Sequence, residues 1–269
     1  MNKEDLINQI LQEVQGKLNQ NTDNKPKGEK VKMAFNSGTS LTEYVGFSEQ
    51  GETIGLVIAN VDSQLLETME LDTKYRSIGI VGARTGAGPQ ILAADEAVKA
   101  TNTEIILVEL PRDTQGGAGH GSLIIFGADD VSDARRAVEV TLNVVENTTF
   151  GDVYANAAGH TELQYTARGS HAVNKVWGAP VGKAFGVIVG APAAIGVVMA
   201  DTALKSANVE ALTWSTPQNG NSFSNECTLT ITGDSGAVKQ AVMSAREVGN
   251  KLLGTMGDEP TNAYDSYIK

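Results

Sequence analysis

Apolar residues along this chain alternate between two spacings. Short, nearly continuous apolar stretches at Thr53–Asn60, Ser77–Val81, Glu104–Leu110 and Ser122–Phe126 are set off by Gly, Asp, Asn or Pro, the signature of buried strands. Between and after them the spacing changes to three and four. Ile91–Thr101 predicts a helix, and Val131–Glu146 predicts an amphipathic one through Val131, Ala134, Val138, Val140, Leu142 and Val145. Asp62–Glu70 predicts a short helix capped by its own first aspartate. The order then starts again, with strands at Thr161–Thr166, Gly186–Val189, Glu210–Ser215 and Cys227–Thr232. Helices are predicted at Ser170–Trp177, Val197–Ala207 and Ala237–Leu253. Each half therefore has four expected strands and three helices, an α/β (α+β) layer of helices against a mixed or antiparallel sheet.

The second half is a copy of the first. Ala94–Glu104 returns 106 positions later as Ala200–Glu210, with six of the eleven positions identical. The same offset pairs Pro111 with Pro217, Leu123 with Leu229, Ile125 with Ile231 and Gly127 with Gly233. A chain of 269 residues, 41% of them hydrophobic, is thus divided between two modules of roughly 105 residues rather than one large core. The expected domains are 41–148 and 149–262, with a C-terminal tail at 263–269.

What remains lies at the N-terminus. Residues 1–18 set Leu6, Ile7, Ile10, Leu11 and Val14 on one stripe of a helix that Asn2 can cap, and 19–40 is a tether rich in Asn, Lys and Gly. Such a helix needs a surface for its apolar side. It either folds back on its own domain or docks on another protein, and the length of the tether favours docking.

Composition narrows the remaining possibilities. A net charge of -11 and a pI near 4.8 argue against nucleic-acid and anionic-membrane partners. Cys227 has no second cysteine to bridge, and the polar, acidic N-terminus lacks a secretory pattern, which points to the cytoplasm. The uncharged run Ala184–Ala200 approaches membrane-spanning length, but Gly186, Gly190, Pro192 and Gly196 interrupt it.

Catalytic and cofactor patterns are not found. The turn Gly82–Gln90 has Ile91 where a dinucleotide fingerprint needs its third glycine, and Gly88-Pro89-Gln90 where a Walker loop needs Gly-Lys-Ser or Gly-Lys-Thr. His120, His160 and His171 lack metal-binding spacing, and no nucleophile elbow is present. Asp95 and Asp201 recur because the module recurs. No cofactor, metal or catalytic residue is therefore expected. The loop from Arg112 and Asp113 through Gly116, Gly117, Gly119, His120 and Gly121 is richer in glycine than a hairpin needs. Its counterpart runs through Gln218, Asn219, Gly220, Asn221 and Ser222. Crowded backbone polar groups of this kind suit the lining of a narrow hydrophilic passage, and equally suit plain surface loops.

Ala93–Asn102, the strand after it, the Gly-rich hairpin and Gly233–Lys239 resemble the bacterial microcompartment (BMC) shell domain. The extra strand and short helix at the start of each copy resemble its circularly permuted tandem form, built from ferredoxin-like modules. Tyr75–Gly88, Gly116–Ser122 and Phe150–Tyr154 are similar to the large shell proteins of propanediol- and glycerol-utilising compartments. The resemblance implies a homotrimer acting as a pseudo-hexagonal tile beside other shell proteins around diol-processing enzymes. It places Lys99, Asn102, Lys205 and Asn208 at the tile edge and the two Gly/polar loops around a central pore. Arg84, Thr85, Gly86 and Ser122 fall at a pore within each subunit, where a polar molecule such as glycerol or 1,2-propanediol could sit. The N-terminal helix would grip the enzyme cargo. A soluble small-molecule-binding regulator of duplicated ferredoxin-like modules is the alternative.

Overall fold

The computed structural model describes residues 42–110, 121–219, 225–262 and 264–269. The first half comprises β1 (Tyr44–Ser48), β2 (Thr53–Ile58), α1 (Ser63–Thr68), β3 (Ser77–Ala83), α2 (Gly88–Ala100), β4 (Glu104–Glu109), β5 (Ser122–Ala128) and α3 (Val131–Asn147). The second comprises β6 (Val153–Asn156), β7 (Gly159–Thr166), α4 (His171–Trp177), β8 (Ala184–Ala191), α5 (Ala193–Ser206), β9 (Val209–Ser215), β10 (Cys227–Gly233) and α6 (Ser235–Gly254). The sheets have the same strand order, β1-β2-β3-β5-β4 and β6-β7-β8-β10-β9, and every pairing is antiparallel.

Each sheet thus has five strands where periodicity predicts four. The additions, β1 and β6, form hairpin arms against β2 and β7. They escape a sequence reading because β1 buries only Val45 and Ser48 and β6 buries none of its residues, so neither shows a sustained apolar alternation. Helices α2 and α5 begin at Gly88 and Ala193, ahead of the expected Ile91 and Val197. Pro89 lies in the first turn of α2 and Pro192 caps α5; a missing N–H at these positions breaks no helical bond.

Local chemistry accounts for several boundaries. Asp62 and Asp130 cap α1 and α3 by accepting the amides of Gln64 and Ser132 at 2.8 and 2.7 Å. Helix α3 packs against β1, β2 and β3, and α6 against β7 and β8. Their close approach depends on Gly79 and Gly186: a Cβ at Gly79 would stand 2.7 Å from the Ala134 carbonyl, and one at Gly186 would stand 2.8 Å from Val242.

The main core does not stop at the module boundary. One apolar cluster joins Ile91, Leu92, Ala94 and Ala97 of α2 to Ala172 and Val173 of α4 and to Phe185, Val187 and Val189 of β8. Trp177 stacks on Phe185 there with ring centroids 5.3 Å apart. The C-terminal tail is also fastened. Buried Asp152 pairs with Arg246 and accepts the Ser266 hydroxyl at 2.7 Å and the amides of Tyr267 and Ile268 at 3.0 and 3.1 Å.

Candidate functional site

The seam between the modules is where unlike chemistry converges. Asp95 of α2 is fully buried and acts as a cap for a helix of the other module. Its carboxylate accepts the amide of Ser170 at 2.9 and 3.0 Å, the Ser170 hydroxyl at 2.6 Å and the Val173 amide at 3.3 Å. These are amides that α4 leaves without an intrahelical acceptor, and the Ser170 side chain does not cap them itself. One turn further on, Lys99 lies 3.2 Å from the Asp95 carboxylate and donates to the Arg168 carbonyl at 3.0 Å.

The same helix in the second module has no such neighbour among the described residues. Asp201 is 58% exposed and pairs at 2.7 Å with Lys205 of its own helix. Val197 and Val198 are 50% and 43% exposed, whereas their counterparts Ile91 and Leu92 are 0% and 3%. Leu65, three residues after the cap of α1, is 44% exposed, whereas Val173, three after the cap of α4, is 0%. At these positions one copy is covered and the other is open among the described residues.

Beside this apolar contact the seam is polar. Gln90 is buried and donates to Thr53 Oγ1 and the Thr85 carbonyl, both at 3.1 Å, while its own Oε1 has no hydrogen-bond partner among the described residues. The Ser122 hydroxyl, also buried, is in the same state. The N-terminus of α2 faces β7, where Glu162 accepts the Gly88 amide. Burial, with a smaller push from Glu226, raises the Glu162 carboxyl to about 7, although His160 and the Gly88 amide oppose the shift. His160 Nε2 lies 3.3 Å from Glu226 Oε2. Gln164, two residues along β7, donates to the Thr149 carbonyl at 3.0 Å and accepts the Tyr267 hydroxyl at 2.9 Å. Groups with spare hydrogen-bonding capacity in a dry setting suit a small neutral polar molecule. No metal-binding group of three or more His, Cys, Asp or Glu residues occurs among the described residues.

Several residues singled out from the sequence meet at this seam. Arg84, Thr85 and Gly86 form the turn between β3 and α2, with Arg84 paired to Glu52 at 3.2 Å and Gly86 at φ +81°. Ser122 sits opposite Ala83 in the sheet, next to that turn. Lys99 lies on the seam, and Asn102 lines a surface cavity of about 230 Å³ with Lys74, Tyr75 and Glu104. Lys205 and Asn208 are exposed. Gly121, Gln218 and Asn219 mark the described ends of the two long loops. Arg112, Asp113, Gly116, Gly117, Gly119, His120, Gly220, Asn221 and Ser222 lie outside the described residues, as do Leu6, Ile7, Ile10, Leu11 and Val14.

Sequence reasoning missed Gln90, Glu162 and Gln164. A signal for two of them was present: Glu162 and Gln164 stand in β7 where β2 has Ile54 and Leu56, as the matched pairings with Val189, Val187, Gly82 and Ile80 show. The repeat alone explains why Asp95 recurs as Asp201, but burial makes Asp95 the fastening of the two modules.

Comparison with known proteins agrees with this architecture. The BMC domain family model matches twice, at 77–157 and 184–258. The bacterial microcompartment shell protein PduB of Citrobacter freundii is 60% identical over 100% of both chains. The crystal structure of a trimeric bacterial microcompartment shell protein PduB superposes with a TM-score of 0.81 at 58% identity, covering 84% of this chain and 100% of that one. EtuB from Clostridium kluyveri gives 0.81 at 52% identity, over 85% and 99%. No described helix is long and apolar enough to cross a membrane. Two linked copies of the module and this degree of likeness over the whole chain make the protein a member of the bacterial microcompartment shell family.

Proposed function

We propose that this structural shell protein closes head to tail into a ring of three copies, giving six similar modules and a pseudo-hexagonal tile. The observation that carries the reading is the contrast between Ile91 and Leu92, buried against the second module, and Val197 and Val198, which hold the same helical positions in the open. A surface that satisfies its twin inside the chain is present, unsatisfied, at both ends of the molecule. Repeating the internal contact between copies is a heterologous association, which either closes into a ring or grows into a fibre. The similar PduB of known crystal structure is trimeric, which supports closure at three.

The tile would sit in a shell with other shell proteins in the bacterial cytoplasm, meeting its neighbours along edges that include Lys99, Asn102, Lys205 and Asn208. The glycine-rich and polar loops from Arg112 and Gln218 would surround its central pore. A second passage for glycerol or 1,2-propanediol would run through each chain at Arg84, Thr85, Gly86 and Ser122. The Ser122 hydroxyl and the Gln90 side-chain oxygen, both buried and without a hydrogen-bond partner among the described residues, support that passage. Residues 1–18 would tie the shell to diol-processing enzymes, and the protein itself would catalyse nothing. Sedimentation of the full-length chain tests the ring: a trimer is expected, and a monomer at all concentrations refutes it. Deleting residues 1–32 should leave the trimer intact and the compartments empty; normal enzyme content would refute the docking role.

A further inference from the structure

The two junctions of such a ring are not chemically equal, and the difference lies at one residue. Inside the chain, the cap position of α4 is Ser170, whose hydroxyl donates to Asp95 at 2.6 Å while its amide fills the same carboxylate. The corresponding cap of α1 is Asp62, whose side chain already accepts the Gln64 amide at 2.8 Å. Helices α2 and α5 share the Ala-Asp-x-Ala-x-Lys frame without a gap, so Asp201 is to α5 what Asp95 is to α2. If a second copy seats its α5 on α1 as α2 seats on α4, Asp201 arrives at the N-terminus of α1. There it meets a carboxylate in the place of a hydroxyl.

We infer that the junction between copies opposes Asp62 to Asp201, so that the ring closes through a charge-strained contact looser than the seam inside each chain. This rests on the ring reading above. A hydroxyl can give the carboxylate a proton to share, and an ionised carboxylate cannot. Lys99 is shared inside the chain between Asp95, Glu96 and a backbone carbonyl of the other module, and Lys205, with Thr202 in the place of Glu96, would be shared between Asp201 and Asp62. What sets the junction apart is that its second carboxylate comes from the facing helix and stands directly against Asp201. The exposed apolar surface of Val197, Val198 and Leu65 supplies attraction, and the aspartate pair supplies a resistance that the internal seam lacks. The consequence is a hierarchy: rings open and exchange copies at the junctions between chains while each chain stays closed on itself.

The test uses full-length protein, its Asp62→Ser and Asp62→Asn variants, and two readouts at pH 7.5 in low salt. Sedimentation gives the midpoint of trimer formation. Mass spectrometry of mixed isotope-labelled and unlabelled rings gives the rate at which copies exchange, which is readable however tight the ring is. Ser and Asn cap helices as well as Asp does, so α1 is retained. Both variants are expected to slow exchange or lower the midpoint by about tenfold, with the gap narrowing in 0.5 M salt as charge is screened. A wild-type chain that forms no trimer sinks the ring reading itself. A wild-type trimer whose exchange and midpoint are unchanged or loosened in both variants overturns the inference alone.

Discussion

Helices α2 and α5 have nearly the same sequence frame and opposite fates. In α2 the apolar face and the aspartate are both used: Ile91 and Leu92 lie in the shared core, and Asp95 caps α4. In α5 the same positions hold Val197, Val198 and Asp201, and all three are open to solvent. The difference teaches that the module is complete only when a neighbour covers it. The covalent link provides that neighbour once per chain, and association has to provide it the second time. A single module would present two such open surfaces, and the linked pair still presents two.

The largest effect that can break this comparison is on assembly. Val197→Asp places a charge at the centre of the open face; it should weaken trimer formation by more than about a thousandfold while the monomer keeps its melting temperature, as sedimentation and calorimetry would show. The matching change in the covered helix acts on folding instead. Asp95→Ala leaves the amides of Ser170 and Val173 without their acceptor and Lys99 without its buried partner, and should cost about 3–5 kcal/mol in denaturant titration. Asp201→Ala in the isolated monomer should cost no more than about 1 kcal/mol. Equal losses at the two aspartates would erase the distinction.

A smaller effect concerns pH. The Glu162 carboxyl is held at about 7 by burial against an ordinary value of 4.5, so the folded chain binds a proton that the unfolded chain has released over that interval. The stability associated with the protonated form is therefore complete below the ordinary value. It declines as pH rises from there through about 7, by roughly 3 kcal/mol in all. Glu162→Gln, neutral throughout, should flatten that decline in urea midpoints measured between pH 4.5 and 8; an unchanged slope would show that Glu162 is not its source. The smallest effect belongs to Lys205→Ala, which removes an exposed pair within one helix and should alter monomer stability by less than about 0.5 kcal/mol.

Much of the fold was legible in the chain because its signals are local. The cap Asp62 and the strand and helix runs are set by residues within a turn or two of each other, and the 106-residue repeat is visible in the order of the residues alone. The fifth strand of each sheet was not, since β1 and β6 are held by hairpin pairing and carry little apolar pattern of their own. Of the site, the turn Arg84–Gly86 and Ser122 were picked out. Glu162 and Gln164 in strand β7 and Gln90 in the first turn of α2 were not, because a polar residue in a strand or at a helix start reads as solvated until a neighbouring segment is seen to cover it.

The sequence by itself therefore determined two modules, their helices and most of their strands, and family membership through motifs present in both halves. It could not decide which of two matched residues is buried. Ile91 and Val197, or Asp95 and Asp201, offer the same local chemistry, and their environments differ only through packing between segments some 80 residues apart, such as α2 and α4. Only the tertiary structure decided that, because burial is a property of what lies across the seam and not of the residue that faces it.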